Sequence, residues 1–271
     1  MQTGSTEPEL ANASPPILSL NAVSFALEGR TLLHPLTLDL PEGKSIALIG
    51  HNGSGKSTLL KLIGRQQAAT TGNIQFAGKP LQAWPAREFA RRLAYLPQRT
   101  PAAPGMLVRE LVALGRYPWH GALGRFTETD QQKVDEAIEL TKIGAFTERM
   151  VDTLSGGERQ RVWLAMLVAQ NADCLLLDEP ISALDIGHQL EVLSLTQELC
   201  RQKGITIITV LHDVNMAARF CDEIIALRSG RLIAHGPPED VMTPAELQRI
   251  YDVQMDVVRQ PSNGRLVAMA Q

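Results

Sequence analysis

Apolar and polar positions alternate over the first part of the chain with the period of a β-strand. Ile17-Leu18-Ser19-Leu20 and the stretch from Thr31 to Leu40 carry the alternation, and Glu28-Gly29-Arg30 marks a hairpin turn between them. Further strand-like runs follow at Ser45 to Ile49, at Asn73 to Ala77 before Gly78, and at Leu93 to Leu96 before Pro97. Between 100 and 170 the period changes. Val108 to Leu114, Asp130 to Thr141 and Glu158 to Ala169 repeat at helical spacing with few strand runs between them, which predicts a helical insertion, and Asp130-Gln131-Gln132-Lys133 resembles a capped, charged helix start. Beyond it, Cys174 to Leu177 and Ile205 to Leu211 are continuous apolar runs of buried-strand type. A helix is expected over His188 to Lys203 with Gly204 as its C-cap, another over Met216 to Cys221, and a hairpin of Ile224 to Leu227 with Leu232 to Ala234 around Ser229-Gly230. Apolar strands alternating with helices predict an α/β fold with a largely parallel sheet. The expected layout is a polar tail over 1–16, one domain over 17–260 and a weakly patterned tail over 261–271.

At 271 residues and 44% hydrophobic content, the chain can bury one large core or a core with a subdomain. A net charge of −3 and 4% aromatic content give no basic field or stacking surface for nucleic acid, so no nucleic-acid partner is expected. Cys174, Cys200 and Cys221 lie far apart and form no CxxC pair, so reduced thiols in small core positions are expected, and no zinc site. The longest strongly apolar runs are strand-sized, too short to cross a bilayer. The N-terminus lacks the basic start and apolar stretch of a secretion signal.

Candidate chemistry concentrates in three places. Gly50-His51-Asn52-Gly53-Ser54-Gly55-Lys56-Ser57 is a phosphate-binding loop that runs into Thr58 and a helix-like stretch. Its glycines let successive N–H groups point at one anion, and the helix behind adds the positive end of its dipole. Lys56 can reach β- and γ-phosphates, and the Ser57 hydroxyl can ligate Mg²⁺. The second place is Leu175-Leu176-Leu177-Asp178-Glu179-Pro180, where a buried strand delivers two carboxylates to a sheet edge. Asp178 is the candidate for the metal ion, Glu179 for the general base. The third is Leu154-Ser155-Gly156-Gly157-Glu158-Arg159-Gln160, a second helix-start anion site whose Ser155 lies 23 residues before Asp178.

Together these motifs resemble those of ABC-type ATPases. Gln98 resembles that family's Q-loop glutamine, Ser182-Ala183-Leu184-Asp185 its D-loop and His212 its switch histidine, all in family order. The resemblance implies a P-loop (RecA-like) core with an N-terminal antiparallel β subdomain and an inserted helical subdomain. It implies ATP hydrolysis with Mg²⁺ served by Ser57, Gln98 and Asp178, and with Glu179 and His212 at the γ-phosphate. It also implies a head-to-tail dimer in which ATP lies between the Gly50–Ser57 loop of one subunit and Ser155-Gly156-Gly157 of the other. Two departures stand out: Leu27 occupies the expected adenine-stacking aromatic position, with Arg30 as the alternative base contact, and Ile181 replaces a threonine.

Gly115-Arg116-Tyr117-Pro118-Trp119 resembles ATPases of iron–siderophore and cobalamin importers, and the longer match, Gly115 to Phe126 with the flank Glu148 to Thr153, is similar to the ferric hydroxamate (ferrichrome-type) group. That resemblance implies a peripheral subunit on the cytoplasmic face of a bacterial inner membrane, docked on permease subunits and served by a substrate-binding protein. Cobalamin, haem and other siderophores are the alternative cargoes, and a non-transport ABC ATPase the alternative role. Tyr117 and Trp119 either pack the insertion's own core or offer a groove to a partner helix.

Overall fold

The computed structural model describes residues 15–121 and 124–271, so the expected tail lies almost wholly outside the described residues. The chain opens with β1 (Leu18–Leu27) and β2 (Arg30–Leu40), the anticipated hairpin. Next come β3 (Ser45–Ile49), α1 (Lys56–Ile63), β4 (Thr71–Phe76), the two-residue β5 (Lys79–Pro80), α2 (Ala86–Arg92) and β6 (Leu93–Leu96). Strands β2, β1, β4 and β5 pair in that order as an antiparallel sheet. The helical segment holds α3 (Val108–Leu114), α4 (Tyr117–His120), α5 (Glu128–Leu140) and α6 (Gly156–Gln170). The remainder supplies β7 (Cys174–Leu177), α7 (Ile186–Lys203), β8 (Thr206–Val210), α8 (Val214–Phe220), β9 (Glu223–Arg228), β10 (Arg231–Gly236), α9 (Pro238–Val241), α10 (Pro244–Tyr251), β11 (Met255–Arg259) and β12 (Leu266–Ala270).

The central sheet has the order β10-β9-β3-β8-β7-β6, parallel except for β10. Both faces of its inner strands are covered, which explains why β7 and β8 read as unbroken apolar runs. On β3, Ile46 and Leu48 face the core shared with the antiparallel sheet and α1, while Ala47 and Ile49 face a core built with Val192, Val214 and Ile250. On β7, Cys174 and Leu176 turn to the first core, and Leu175 and Leu177 to the core of the helical segment. Because β3, β7 and β8 are adjacent and parallel, their C-terminal ends deliver Gly50, Asp178 and Leu211–His212 to one edge.

One buried ion pair fastens the helical segment. Arg116 and Asp130 are each 4% exposed, and Arg116 Nε donates to Asp130 Oδ1 at 2.9 Å. Arg116 Nη1 also donates to the Ala169 carbonyl at 2.8 Å, and its guanidinium carbon lies 4.8 Å from the centre of the Trp119 ring. The expected helix start at Asp130 is displaced by this arrangement: α5 begins at Glu128, capped by Thr127, and Asp130 is the third residue of the capping box. Burial alone would raise the Asp130 carboxyl. Hydrogen bonds from Thr127 and Arg116 outweigh burial and hold it below the usual carboxylate range.

The 261–271 tail is corrected by the structure. Residues Leu266–Ala270 are β12, paired antiparallel with β11. Weak patterning hid it because its order comes from a tertiary contact: the Asn215 side chain on α8 donates to the Ala268 carbonyl at 3.0 Å and accepts from the Ala268 N–H at 2.7 Å. The cysteines sit as expected of small core residues, Cys174 and Cys200 buried and Cys221 half-buried. Burial pushes the Cys200 thiol up to about 11.

Asp130→Ala leaves a buried guanidinium without its carboxylate and should cost ~3 kcal/mol, read by urea unfolding at neutral pH. Since the folded-state carboxyl titrates below its ordinary value, this contribution is present at neutral pH and is lost as pH falls through that depressed range. The stability difference between wild type and Asp130→Ala should therefore narrow in acid. A constant difference would contradict a charged pair.

Candidate functional site

The strand-to-helix turn after β3 dictates the loop's shape. At Gly50 φ is 138°, and a Cβ there would lie 2.0 Å from the Leu227 carbonyl oxygen on β9, so a side chain cannot fit. Gly55 adopts φ 102° at the N-cap of α1. The loop wraps the Lys56 ammonium, which donates to the carbonyls of Gly50 at 2.8 Å and His51 at 2.9 Å. Lys56 is only 5% exposed. Burial draws its pKa down, and the negative charges of Glu179 and Asp178 act in the opposite sense. The Ser54 hydroxyl is buried and has no hydrogen-bond partner among the described residues. From outside, the Tyr251 ring meets the His51 ring edge-on at 5.5 Å.

The two carboxylates after β7 separate as their order in the sequence suggests. Asp178 is 3% exposed and accepts from the Ser57 hydroxyl at 2.8 Å and the Tyr95 hydroxyl at 3.1 Å. Burial first, then the Asp178 charge and hydrogen bond, push the Tyr95 phenol well above its ordinary value, so it stays a donor. Glu179 stands at φ 51°, a left-handed conformation that turns its side chain from the strand to the mouth of the site. There Gln98 Nε2 donates to Glu179 Oε2 at 2.6 Å, and His212 Nε2 lies 2.9 Å from Glu179 Oε1. A cavity of about 470 Å³ is lined by Asn52 to Thr58 together with Gln98, Glu179, His212 and Leu32. Hard oxygens from Ser57 and Asp178 at its edge suit Mg²⁺. Among the described residues no group of three His, Cys, Asp or Glu could hold a metal alone, so such an ion would need further ligands from a nucleotide.

Asn52 to Thr58, Gln98, Glu179 and His212 thus line one cavity, Gly50, His51 and Asp178 stand behind it in contact with Lys56 and Ser57, and Ser155, Gly156 and Gly157 do not line it. Ser155 caps α6 instead. Its hydroxyl accepts from the Glu158 N–H at 3.3 Å, and Glu158 Oε2 accepts from the Ser155 N–H at 2.9 Å. Hydrogen bonding from the Ser155 backbone N–H first, and then from its side chain, holds the Glu158 carboxyl below its usual range. Leu27 is 54% exposed and Arg30 is exposed, so no aromatic platform stands at that point. Ile181 is 8% exposed and belongs to an apolar cluster with Val192 and Leu193, an environment that suits its methyl groups better than a hydroxyl. Trp119 takes the packing alternative: its ring lies between Arg91 and Arg116, and Nε1 donates to the Gln170 carbonyl at 2.8 Å. Tyr117 remains 54% exposed.

Sequence reasoning missed Leu32, Tyr95 and His188. Leu32 and Tyr95 lie on ordinary strands and reach the site only through sheet pairing. His188 packs against Gly157, where a Cβ would fall 2.2 Å from its Cδ2. It carries no local signal beyond a helix start.

Comparison with known proteins agrees with this geometry. The ABC transporter family model matches residues 33–182. The iron(3+)-hydroxamate import ATP-binding protein FhuC of Bacillus subtilis (strain 168) is 38% identical over 252 residues, covering 93% of this chain and 94% of that protein. The ferric enterobactin transport ATP-binding protein FepC of Escherichia coli (strain K12) is 41% identical over 234 residues, 86% of each chain. Hemin import ATP-binding protein HmuV of Streptomyces coelicolor (strain ATCC BAA-471 / A3(2) / M145) is 41% identical over 243 residues, 90% of this chain and 86% of that one. Among solved structures, a metal-chelate type ABC transporter in an inward-facing conformation superposes with TM-score 0.82 at 24% identity, covering 94% of this chain and 97% of that one. The dimeric bacterial ABC transporter cassette MJ0796 superposes with TM-score 0.70 at 26% identity, covering 82% and 98%. With a phosphate loop, an acidic strand end and a capped LSGGERQ helix in their expected elements, the chain belongs to the ABC transporter family and is one of its ATPase subunits.

Proposed function

We propose that this protein hydrolyses ATP to drive import of chelated iron, with ferric hydroxamate siderophores as cargo, from the cytoplasmic face of a bacterial inner membrane. The observation that carries the ATPase part is the ring of contacts Ser57–Asp178 and Gln98–Glu179–His212 around the loop that holds Lys56. Support for the cargo comes from relatives over nearly the whole chain whose names specify hydroxamate, enterobactin and haem import, and from the Gly115–His120 stretch. Haem, cobalamin or another siderophore is the second reading, favoured by the comparable identity of the hemin relative. No helix among the described residues is long and apolar enough to cross a membrane, so coupling requires permease subunits. The exposed Tyr117 is a contact for one of them. A substrate-binding protein would act on the permease from the far side.

The chemistry follows from groups already in place. Lys56 exchanges two loop carbonyls for β- and γ-phosphate oxygens, and the N–H groups from Gly53 to Thr58 close around the phosphates, with Gly50, His51 and Asn52 shaping the turn. Ser57 and Asp178 would hold Mg²⁺, with the Gln98 amide beside them. When bound, the ion would supply charge neutralisation for the triphosphate. Glu179, oriented by Gln98 and His212, takes a proton from the attacking water, and His212 bridges Glu179 to the γ-phosphate. One loop covers one side of a triphosphate. The other side would be covered by the α6 N-terminus of a second copy, which presents Ser155, Gly156 and Gly157, with the Glu158 carboxylate of its first turn folded back onto the Ser155 N–H.

Glu179→Gln should bind ATP with affinity within about twofold of wild type while hydrolysis falls at least ~100-fold, measured by phosphate release. Normal turnover would assign the base elsewhere. Ser155→Arg should keep nucleotide binding to the monomer and abolish ATP-dependent dimerisation, followed by sedimentation; intact dimerisation would remove the facing-helix arrangement. In proteoliposomes with permease, a ferric-hydroxamate-loaded binding protein should raise ATPase activity several-fold, about the effect of a 1 kcal/mol change in barrier. Stimulation by a haem- or cobalamin-loaded binding protein alone would transfer the cargo to that class.

A further inference from the structure

The Ser155-Gly156-Gly157 turn is held by more than its own capping box. The imidazole of His188, in the first turn of α7, lies on Gly157: a Cβ there would come within 2.2 Å of His188 Cδ2 and 2.5 Å of Cγ. Any side chain at 157 would have to displace the ring, so that glycine makes room for a histidine of its own chain as well as for an approaching anion. The ring is fixed in turn. Its Nδ1 lies 2.8 Å from Asp185 Oδ2, and the His188 N–H donates to Asp185 Oδ1 at 3.0 Å. An ionised carboxylate accepts only, so His188 Nδ1 is the donor of this bond, and Nε2 lies on the Gly157 side, 2.9 Å from the Cβ position. Leu184 adds an apolar contact, its Cδ2 at 3.6 Å from the Cβ position of Gly156. Asp185 and Leu184 belong to the Ser182–Asp185 loop, which begins three residues after Glu179.

We propose that His188 is a positioning residue that fuses the Ser155–Gly157 turn to the Ser182–Asp185 loop, so that one subunit presents both to its partner's triphosphate as a single rigid jaw. This rests on the facing-helix dimer proposed above. The physical reason is preorganisation: donors at a helix start stabilise developing charge only if they do not have to be reoriented when the phosphate arrives. His188 supplies a flat wall behind the turn, and Asp185 locks that wall against rotation with two bonds from one carboxylate. The contact also links the turn to the segment after Glu179, so displacement of either loop is felt by the other.

The test uses the full-length protein in a Glu179→Gln background, with ATP-dependent dimerisation measured by sedimentation and nucleotide affinity measured on the monomer. His188→Leu keeps bulk on Gly157 and loses the bond to Asp185. It should weaken dimerisation about tenfold and leave monomer affinity for ATP within about twofold. His188→Asn restores a donor at the Nδ1 position and should recover most of the loss. With Glu179 intact, His188→Leu should lower kcat and leave KM for ATP unchanged. Dimerisation of His188→Leu equal to the reference, or an equal loss in His188→Asn, would reduce His188 to a space-filling residue and overturn the proposal. If the Glu179→Gln reference itself stays monomeric with ATP, the facing-helix dimer and the role of His188 fall together.

Discussion

A helix N-terminus solvates an anion only when the anion is brought to it, and this chain carries two such termini of which only one borders its own nucleotide cavity. That constraint organises the molecule. The α1 terminus is built into the edge where β3, β7 and β8 end together, so its donors, Lys56 and the acidic pair are fixed by strand register. The α6 terminus belongs to the helical segment and is braced by its own capping box and by His188. In the proposed facing-helix dimer, each half would supply what the other lacks.

The electrostatics of the first half fit an anion that arrives from outside. Lys56 is buried and satisfied by two carbonyls, with Asp178 and Glu179 offsetting the desolvation that lowers its pKa. Phosphate oxygens are stronger partners than carbonyls for an ammonium, so the exchange is downhill without rearranging the sheet. Glu179 is different in kind. It stands in left-handed backbone, its carboxylate accepting from the exposed Gln98 and facing the exposed His212 just beyond β8.

Much of this was legible in the sequence because the determining signals are local. Glycines at 50, 53 and 55, a lysine, and an apolar strand ending in Asp178-Glu179 describe the first half almost completely. Capped helices and the parallel sheet followed from periodicity. What escaped depends on contacts between distant segments. Tyr95 reaches Asp178 only because β6 pairs with β7, and Asp130 reads as a charged helix start until Arg116 arrives from the turn before α4. The β12 strand is weakly patterned because Asn215 of α8 supplies its order. Trp119 could not be assigned from spacing, since its partners Arg91 and Gln170 are separated widely in sequence.

The most direct measurement is a structure of the Glu179→Gln protein loaded with Mg²⁺ and ATP. The account predicts a head-to-tail dimer with the Ser155 hydroxyl of the partner subunit in hydrogen-bond contact with the γ-phosphate bound at Lys56. A dimer joined through another surface, with Ser155 left facing solvent, would contradict it.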